Sequence, residues 1–327
     1  MKFSIIYEAQ MVDTSPESEQ RCFLECVEQA VYAEKMGFDT VWAVEHTALT
    51  QYAHMSAPET FLAYLAGRTT TLGIGHGVVC LPPAMNHPVK VAERIATLDI
   101  LSGGRVHFGM GKGGTQQEAG TFGYDLNELQ PMIDESMYLI PKIFVNEEIE
   151  HDGKYIKIPR RPIHPKPRQQ PHPPLYYACT REATLELAGA RGIGALVLGF
   201  SGPDEIARKN AIYREHFRNR KPEDQVGFRP TEHLAALCAA CVLDDGMVAV
   251  TDAVRRRLDA LGPTSDMRKR LGAAVEGHLW GMLHRGECTA AHIRIYRYVS
   301  DAARQRHRAL RSAYTRLWDD LLQQAAD

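Results

Sequence analysis

Short apolar runs alternate along the chain with longer segments whose apolar residues recur every three or four positions. The runs FSIIY (3–7), TVWAV (40–44), TLGIGHGVV (71–79), RVHFGM (105–110), LYYA (175–178), GALVLG (194–199) and LAALCAACVL (234–243) read as strands. Residues 18–36, 58–67, 88–101, 127–145, 181–191 and 203–218 carry the helical period between them. Strand–helix units repeated in this way predict parallel strands covered by helices. Seven such strands exceed the need of half a doubly wound sheet. An α/β fold of the (β/α)₈ or TIM-barrel type accommodates them better, with residues 1–327 as a single domain.

Two stretches depart from this rhythm. Residues 149–175 place an Asp152-Gly153 turn between alternating segments, then six prolines from Pro162 to Pro174. This predicts a hairpin and an extended loop, inserted after the fourth strand. Residues 246–327 look mostly helical; positions 252–327 hold 14 Lys/Arg against 9 Asp/Glu. Arg304, Arg308 and Arg311 follow a helical spacing there, and without interleaved aromatic residues they read as solvated faces, not as a nucleic-acid surface. HIRIYRYV (292–299) is a candidate eighth strand, although a helix suits it as well.

Composition narrows the class. The chain is 44 % hydrophobic and 24 % charged, with a formal net charge of −2, so it carries no global field for nucleic acid. No apolar run approaches the roughly 18 residues of a membrane span. The start, MKFSIIYEAQ, reads as a first strand and not as a signal peptide, which points to the cytoplasm. Seven cysteines, an odd number, lie mostly within apolar stretches. Cys238 and Cys241 form the one CxxC, but positions i and i+3 of a strand point to opposite faces, so a metal or redox role is disfavoured.

In a barrel of this kind the C-terminal strand ends form the active face. Glu45-His46, His76-Gly77-Val78, Gly109–Gly114 and Cys179-Thr180-Arg181 should therefore line one mouth. His46 is the best acid/base candidate, since its ring titrates near neutrality; a capping or core histidine is the bland alternative. No HxxxH or HExxH spacing supplies partners for a metal. FGMGKGG (108–114) lacks the Walker and GxGxxG spacings. It reads either as a backbone approach to a flat ligand, with Lys112 as a cation, or as a tight turn. Thr180 is the expected N-cap of the following helix, and with Arg181 it would make an anion site. Gly75-His76-Gly77 inside a strand suggests close approach by a ligand or an unusual peptide bond.

Together these stretches resemble the bacterial luciferase-like, flavin-dependent monooxygenase family. GFDTVWAVEHT (37–47) is similar to its second-strand signature, and HPVKVAERIATLDILSGGRVHFGMGKG (87–113) is the most specific match. HDGKYIKIP (151–159) and PHPPLYYA (171–178) resemble its inserted hairpin and the approach to its fifth strand. The resemblance covers about residues 1–245. It implies a TIM barrel that takes reduced FMN from a separate NAD(P)H-dependent flavin reductase. Oxygen then adds to the flavin, and the hydroperoxide oxygenates a small organic substrate. It also implies a homodimer. Carried over by position, His46 is the active-site histidine and Glu45 its buried neighbour. Gly77-Val78 falls at a non-prolyl cis peptide beneath the flavin ring. Met110, Lys112 and Gly113, at the end of the fourth strand, are implied to bind the cofactor, with Lys112 at a phosphate-contacting arginine position. Cys179, Thr180 and Arg181 match the phosphate-binding turn.

The sequence departs from luciferases in several places. Thr47 replaces a second histidine, Gly111 replaces a reactive cysteine, and the usual C-terminal turn and strand are not recognisable. The missing second histidine and cysteine argue against light emission. A deazaflavin-dependent oxidoreductase on the same barrel, or a non-catalytic flavin-binding partner subunit, are the alternative readings. Tyr52, His54, Met55, Phe122 and Tyr124 are candidates to line the mouth or to belong to the core.

Overall fold

The computed structural model describes residues 2–11, 14–49, 53–113, 115–199, 203–238, 251–261, 266–284 and 301–326. Strands β1 (Ser4–Tyr7), β2 (Thr40–Ala43), β3 (Gly73–Cys80) and β4 (Val106–Gly111) alternate with helices α1 (Pro16–Lys35), α2 (Pro58–Arg68) and α3 (Pro88–Leu101). After β4 come α4 (Gln116–Phe122), a 3₁₀ turn and α5 (Leu129–Val145). The hairpin β5 (Glu148–Asp152) and β6 (Lys157–Pro162) follows, then β7 (Leu175–Cys179), α6 (Glu182–Ala190), β8 (Gly194–Gly199), α7 (Pro203–Arg218) and β9 (Leu234–Cys238).

Among the described residues the main sheet is curled and has the order β1-β2-β3-β4-β7-β8-β9. The pairs from β1/β2 to β7/β8 are parallel. The expected α/β fold of parallel strands and helices is thus seen, among the described residues, as a curled half-barrel of seven strands. The candidate eighth strand at 292–299 and the second half of 234–243, with Cys241, lie outside the described residues. The hairpin forms its own antiparallel sheet where an insertion was expected. Helix α4 was not anticipated from the sequence. It is too short for periodicity to reveal.

By its contacts the chain divides into two compact units, Met1–Val197 with Asn210–Ala235, and Leu198–Lys209 with Ala236–Asp327. The first contains the core. Val41, Ile74, Phe108, Leu175 and Tyr177 are fully buried, and Phe108 meets Phe144 of α5 edge-on at 6.2 Å. The opposite face of the sheet alternates bulk with glycine. Trp42 is in register with Gly75, and a Cβ at Gly75 would lie 2.4 Å from its ring. Tyr176 is in register with Gly109 and Gly194, and its ring lies 5.1 Å from that of Trp42. Large and small side chains therefore interlock across neighbouring strands.

The segment LDILSGGR proves to be architectural. Asp99, fully buried, accepts hydrogen bonds from Gln169 N (2.8 Å) and Gln169 Nε2 (2.7 Å), which pins the proline-rich loop against the start of β4. Arg105 donates to the carbonyls of Ala66, Thr69, Leu72 and Ser102, tying the end of α2 to the turn before β4. Glu135 of α5 does the same for the hairpin, through Tyr155 N (3.0 Å), Ile156 N (2.9 Å) and His151 Nε2 (2.9 Å).

The second unit packs helix α8 (251–261) with α9 (Met267–His284) and α10 (Asp301–Ala326) around Val254, Leu258, Ala274 and Leu321. Gly277 permits the crossing, since a Cβ there would sit 2.8 Å from Val254 Cα.

Candidate functional site

The C-terminal ends of β2, β3 and β4 converge on two carboxylates. Glu45 leaves β2 buried, and its carboxylate accepts Cys80 N at 2.6 Å and Asn86 Nδ2 at 2.9 and 3.0 Å. Asn86 Oδ1 in turn accepts from Arg94, which also donates to Glu59 Oε1 at 2.8 Å. Burial outweighs the hydrogen bonds from Asn86 and Cys80 and pushes Glu45 up to about 7. Its side chain thus braces the end of β3 and the start of α3.

A side-chain partner of His46 is Glu118, on α4. His46 Nδ1 lies 3.1 Å from Glu118 Oε1; the imidazole is 25 % exposed and the carboxylate 0 %. Glu118 Oε2 accepts Thr115 N (3.1 Å) and Thr115 Oγ1 (2.8 Å), while Glu118 N donates back to Thr115 Oγ1 (3.1 Å). This is a capping box in which one carboxylate both starts a helix and holds a histidine. Burial opposes the charge, but hydrogen bonds from His46 and Thr115 hold Glu118 below the ordinary carboxylate range. The carboxylate only accepts, so it fixes the proton of the neutral ring on Nδ1. The sequence reading missed Glu118. TQQE (115–118) carries the S/T-x-x-E signature that would have revealed it.

The Gly77–Val78 peptide is cis, as the resemblance implied. The glycines of β4 answer first to β3. A Cβ at Gly109 would meet His76 O at 2.1 Å, and one at Gly111 would meet Val78 Cγ2 at 2.1 Å. Close strand approach therefore accounts for both positions. Gly113 has φ +56°, and its carbonyl accepts from Tyr124 Oη.

A second group gathers at the ends of β4 and β7. Lys112 is half-buried and its pKa is lowered, first by burial and then by Arg181, with Asp134 acting the other way. Asp134 is itself paired with Arg191 at 2.8 Å. Among the described residues neither Lys112 nor Arg181 has an ion-pair partner, so the cluster has uncompensated positive charge beside a strand end. That donor set fits an anionic group such as a phosphate ester.

The remaining candidates divide. Arg181, not Thr180, is the N-cap residue of α6; Thr184 Oγ1 accepts from Arg181 N at 3.2 Å and closes the turn, while Thr180 stays exposed. Cys179 turns its thiol inward to Tyr177 O (3.3 Å) and Thr184 O (3.2 Å), and burial pushes it up to about 12. Met110 is fully buried and alternation puts it on the face of Phe108, so its side chain serves the core. Met55 is likewise in the core, His54 pairs with Glu19 at 2.9 Å, Phe122 is partly buried, and Tyr124 is buried. Tyr52 and Gly114 lie outside the described residues. No group of His, Cys, Asp and Glu among the described residues is arranged to hold a metal, and no described helix is long and apolar enough to cross a membrane.

Comparison with known proteins adds to this geometry. A family model described as luciferase-like monooxygenase matches residues 1–325. The alkanal monooxygenase alpha chain of Photorhabdus luminescens is 29 % identical over 183 residues, 56 % of this chain and 50 % of that protein. The oxygenase component of flavin-dependent trigonelline monooxygenase from Acinetobacter baylyi is 29 % identical over 220 residues, 64 % of this chain and 57 % of that protein. The chain thus spans about half the length of the curated relatives it matches. Two solved structures share the fold. The oxygenating constituent of 3,6-diketocamphane monooxygenase from Pseudomonas putida, a type II Baeyer-Villiger enzyme in complex with FMN, gives a TM-score of 0.60 at 24 % identity, covering 72 % of this chain and 66 % of that one. An F420-dependent secondary alcohol dehydrogenase gives 0.56 at 22 %, covering 76 % and 75 %.

Proposed function

Because the chain belongs to the luciferase-like monooxygenase family, we propose that it is the oxygenase component of a two-component flavin-dependent monooxygenase, using reduced FMN and O₂ on a small organic substrate. The observation that carries this reading is that the C-terminal ends of the sheet's strands present both an oriented His46–Glu118 dyad and the cations Lys112 and Arg181. Reduced FMN, when bound, supplies the electrons that activate O₂.

The chain's own residues do the rest. Lys112, with Arg181 and the exposed Thr180, takes the cofactor phosphate. The backbone at Gly77-Val78 and Gly111–Gly113 borders the ring system. His46, held by Glu118, moves a proton at the reacting centre. Glu45 acts at one remove by bracing the β3 end through Cys80 N and Asn86. Cys179 and Met110 contribute through their backbone and through core packing. A separate NAD(P)H-dependent flavin reductase would provide the reduced cofactor, and the active form would be a homodimer in the cytoplasm, with the whole chain as one domain.

Anaerobic titration with reduced FMN, followed by mixing with oxygenated buffer, tests the reading. Saturable binding and a transient absorbing species that outlives the oxidation of free reduced flavin are expected. Absence of both refutes it. The fold shared with an F420-dependent dehydrogenase favours a second reading, hydride transfer with a deazaflavin. Turnover that needs no oxygen and accepts reduced F420 would select that one. A His46→Ala variant with unchanged turnover would point instead to a non-catalytic subunit.

A further inference from the structure

Behind the sheet, where α2 and α3 cover β3, a cavity of water size is lined by Glu45, Glu59, His76 and Arg94 together with apolar side chains that include Val79, Val91 and Ile95. His76 is 2 % exposed, and among the described residues neither Nδ1 nor Nε2 finds a hydrogen-bond partner. Burial, and then the nearby Arg94, press its pKa down to about 3, so the ring is neutral at any ordinary pH. A neutral imidazole carries one N–H donor and one acceptor, and leaving either unmet in the interior is unfavourable. The other polar groups on the wall supply complementary partners: carboxylates that accept, a guanidinium that donates.

We propose that this cavity is a binding site for a single internal water, which hydrogen-bonds His76 and links it to the Glu45–Asn86–Arg94–Glu59 chain. A buried water needs room for one molecule and polar groups to bond, and this cavity of water size brings the unpartnered ring of His76 together with the side chains of Glu45, Glu59 and Arg94. The water joins the one fully buried histidine of β3 to the carboxylate that braces the same strand's end. The site stands independently of any cofactor.

Filling the cavity separates the two cases by sign. Val91→Ile adds one methylene from α3. If the site holds water, Val91→Ile displaces it, strips His76 of its partner and lowers the melting temperature. In a His76→Leu background the same change becomes neutral or raises it. A rise on Val91→Ile in the otherwise unchanged protein would overturn the proposal, because filling a dry void improves packing. A crystal structure at high resolution gives the second readout. Density within hydrogen-bonding distance of a His76 nitrogen supports the site, and a clear void there refutes it.

Discussion

Replacing Glu118 by Gln distinguishes a helix cap from a positioning residue for His46. The carboxylate receives His46 Nδ1 at 3.1 Å on one oxygen and Thr115 N and Oγ1 at 3.1 and 2.8 Å on the other. Glutamine caps a helix as well as glutamate does, so its amide oxygen is expected to stay on Thr115. Its NH₂ then faces Nδ1, which must accept, and the ring proton moves to Nε2. A charge-assisted hydrogen bond is exchanged for a neutral one, at a cost of about 1 kcal/mol. On the proposed function, the fold and the affinity for reduced FMN should survive, because Lys112 and Arg181 are untouched. Proton handling should not survive, with turnover falling roughly 10²–10⁴-fold, the usual worth of a general acid–base group. ¹⁵N NMR of histidine-labelled protein reads the tautomer directly. If the Nδ1–H form and full turnover both persist in Glu118→Gln, Glu118 is a cap and nothing more. The pH dependence has a definite sign. Glu118 is held below its ordinary value of 4.5, so the stabilisation is complete above that value and is lost as the pH falls beneath it.

Three further perturbations have definite expected outcomes. Glu34 accepts hydrogen bonds from Thr70 N, Thr71 N and Leu72 N; burial opposes these, yet its pKa drops from 4.5 to about 2. Glu34→Gln should lose about 1–2 kcal/mol at neutral pH after allowing for solvent screening, and should flatten the loss of stability between pH 4.5 and 2 in urea melts. Glu45 has the opposite sign: raised from 4.5 to about 7, it favours the folded state less as the pH climbs through that window. A plot of melting temperature against pH for Glu45→Gln should lack that decline, and an unchanged slope would refute the assignment. Gly111→Ala drives a Cβ to 2.1 Å from Val78 Cγ2; overpacking of this kind costs about 1–3 kcal/mol, and Val78→Ala should recover most of it in a thermal double-mutant cycle.

Local signals carried the strands and helices well. The helices at 88–101 and 203–218 and the strand at 194–199 fall where the apolar period places them, because burial of one face by neighbouring layers leaves its mark residue by residue. His46, Lys112 and Arg181 were legible for a related reason. A strand end fixes where its next residues emerge, so charged or titratable groups there can be named before any contact is known. Thr180 illustrates the limit: cap preference alone favoured it, but the hydroxyl of Thr184 reaches back to Arg181 N and starts the helix one residue later.

By itself the sequence determined the parallel α/β architecture, the inserted hairpin and the resemblance that names the family, since all three rest on periodicity, turn chemistry and contiguous motifs. Only the tertiary structure decided which groups meet. Glu118 is 72 residues from His46, and Glu45 is 35 from Cys80 and 41 from Asn86. It also separated the roles of similar-looking motifs: Asp99 and Arg105 pin loops, and Gly109 and Gly111 make room for β3. Hydrogen bonds and steric exclusion act over a few ångströms in space. Distances of that kind are set by the packing of whole elements, and linear order does not contain them.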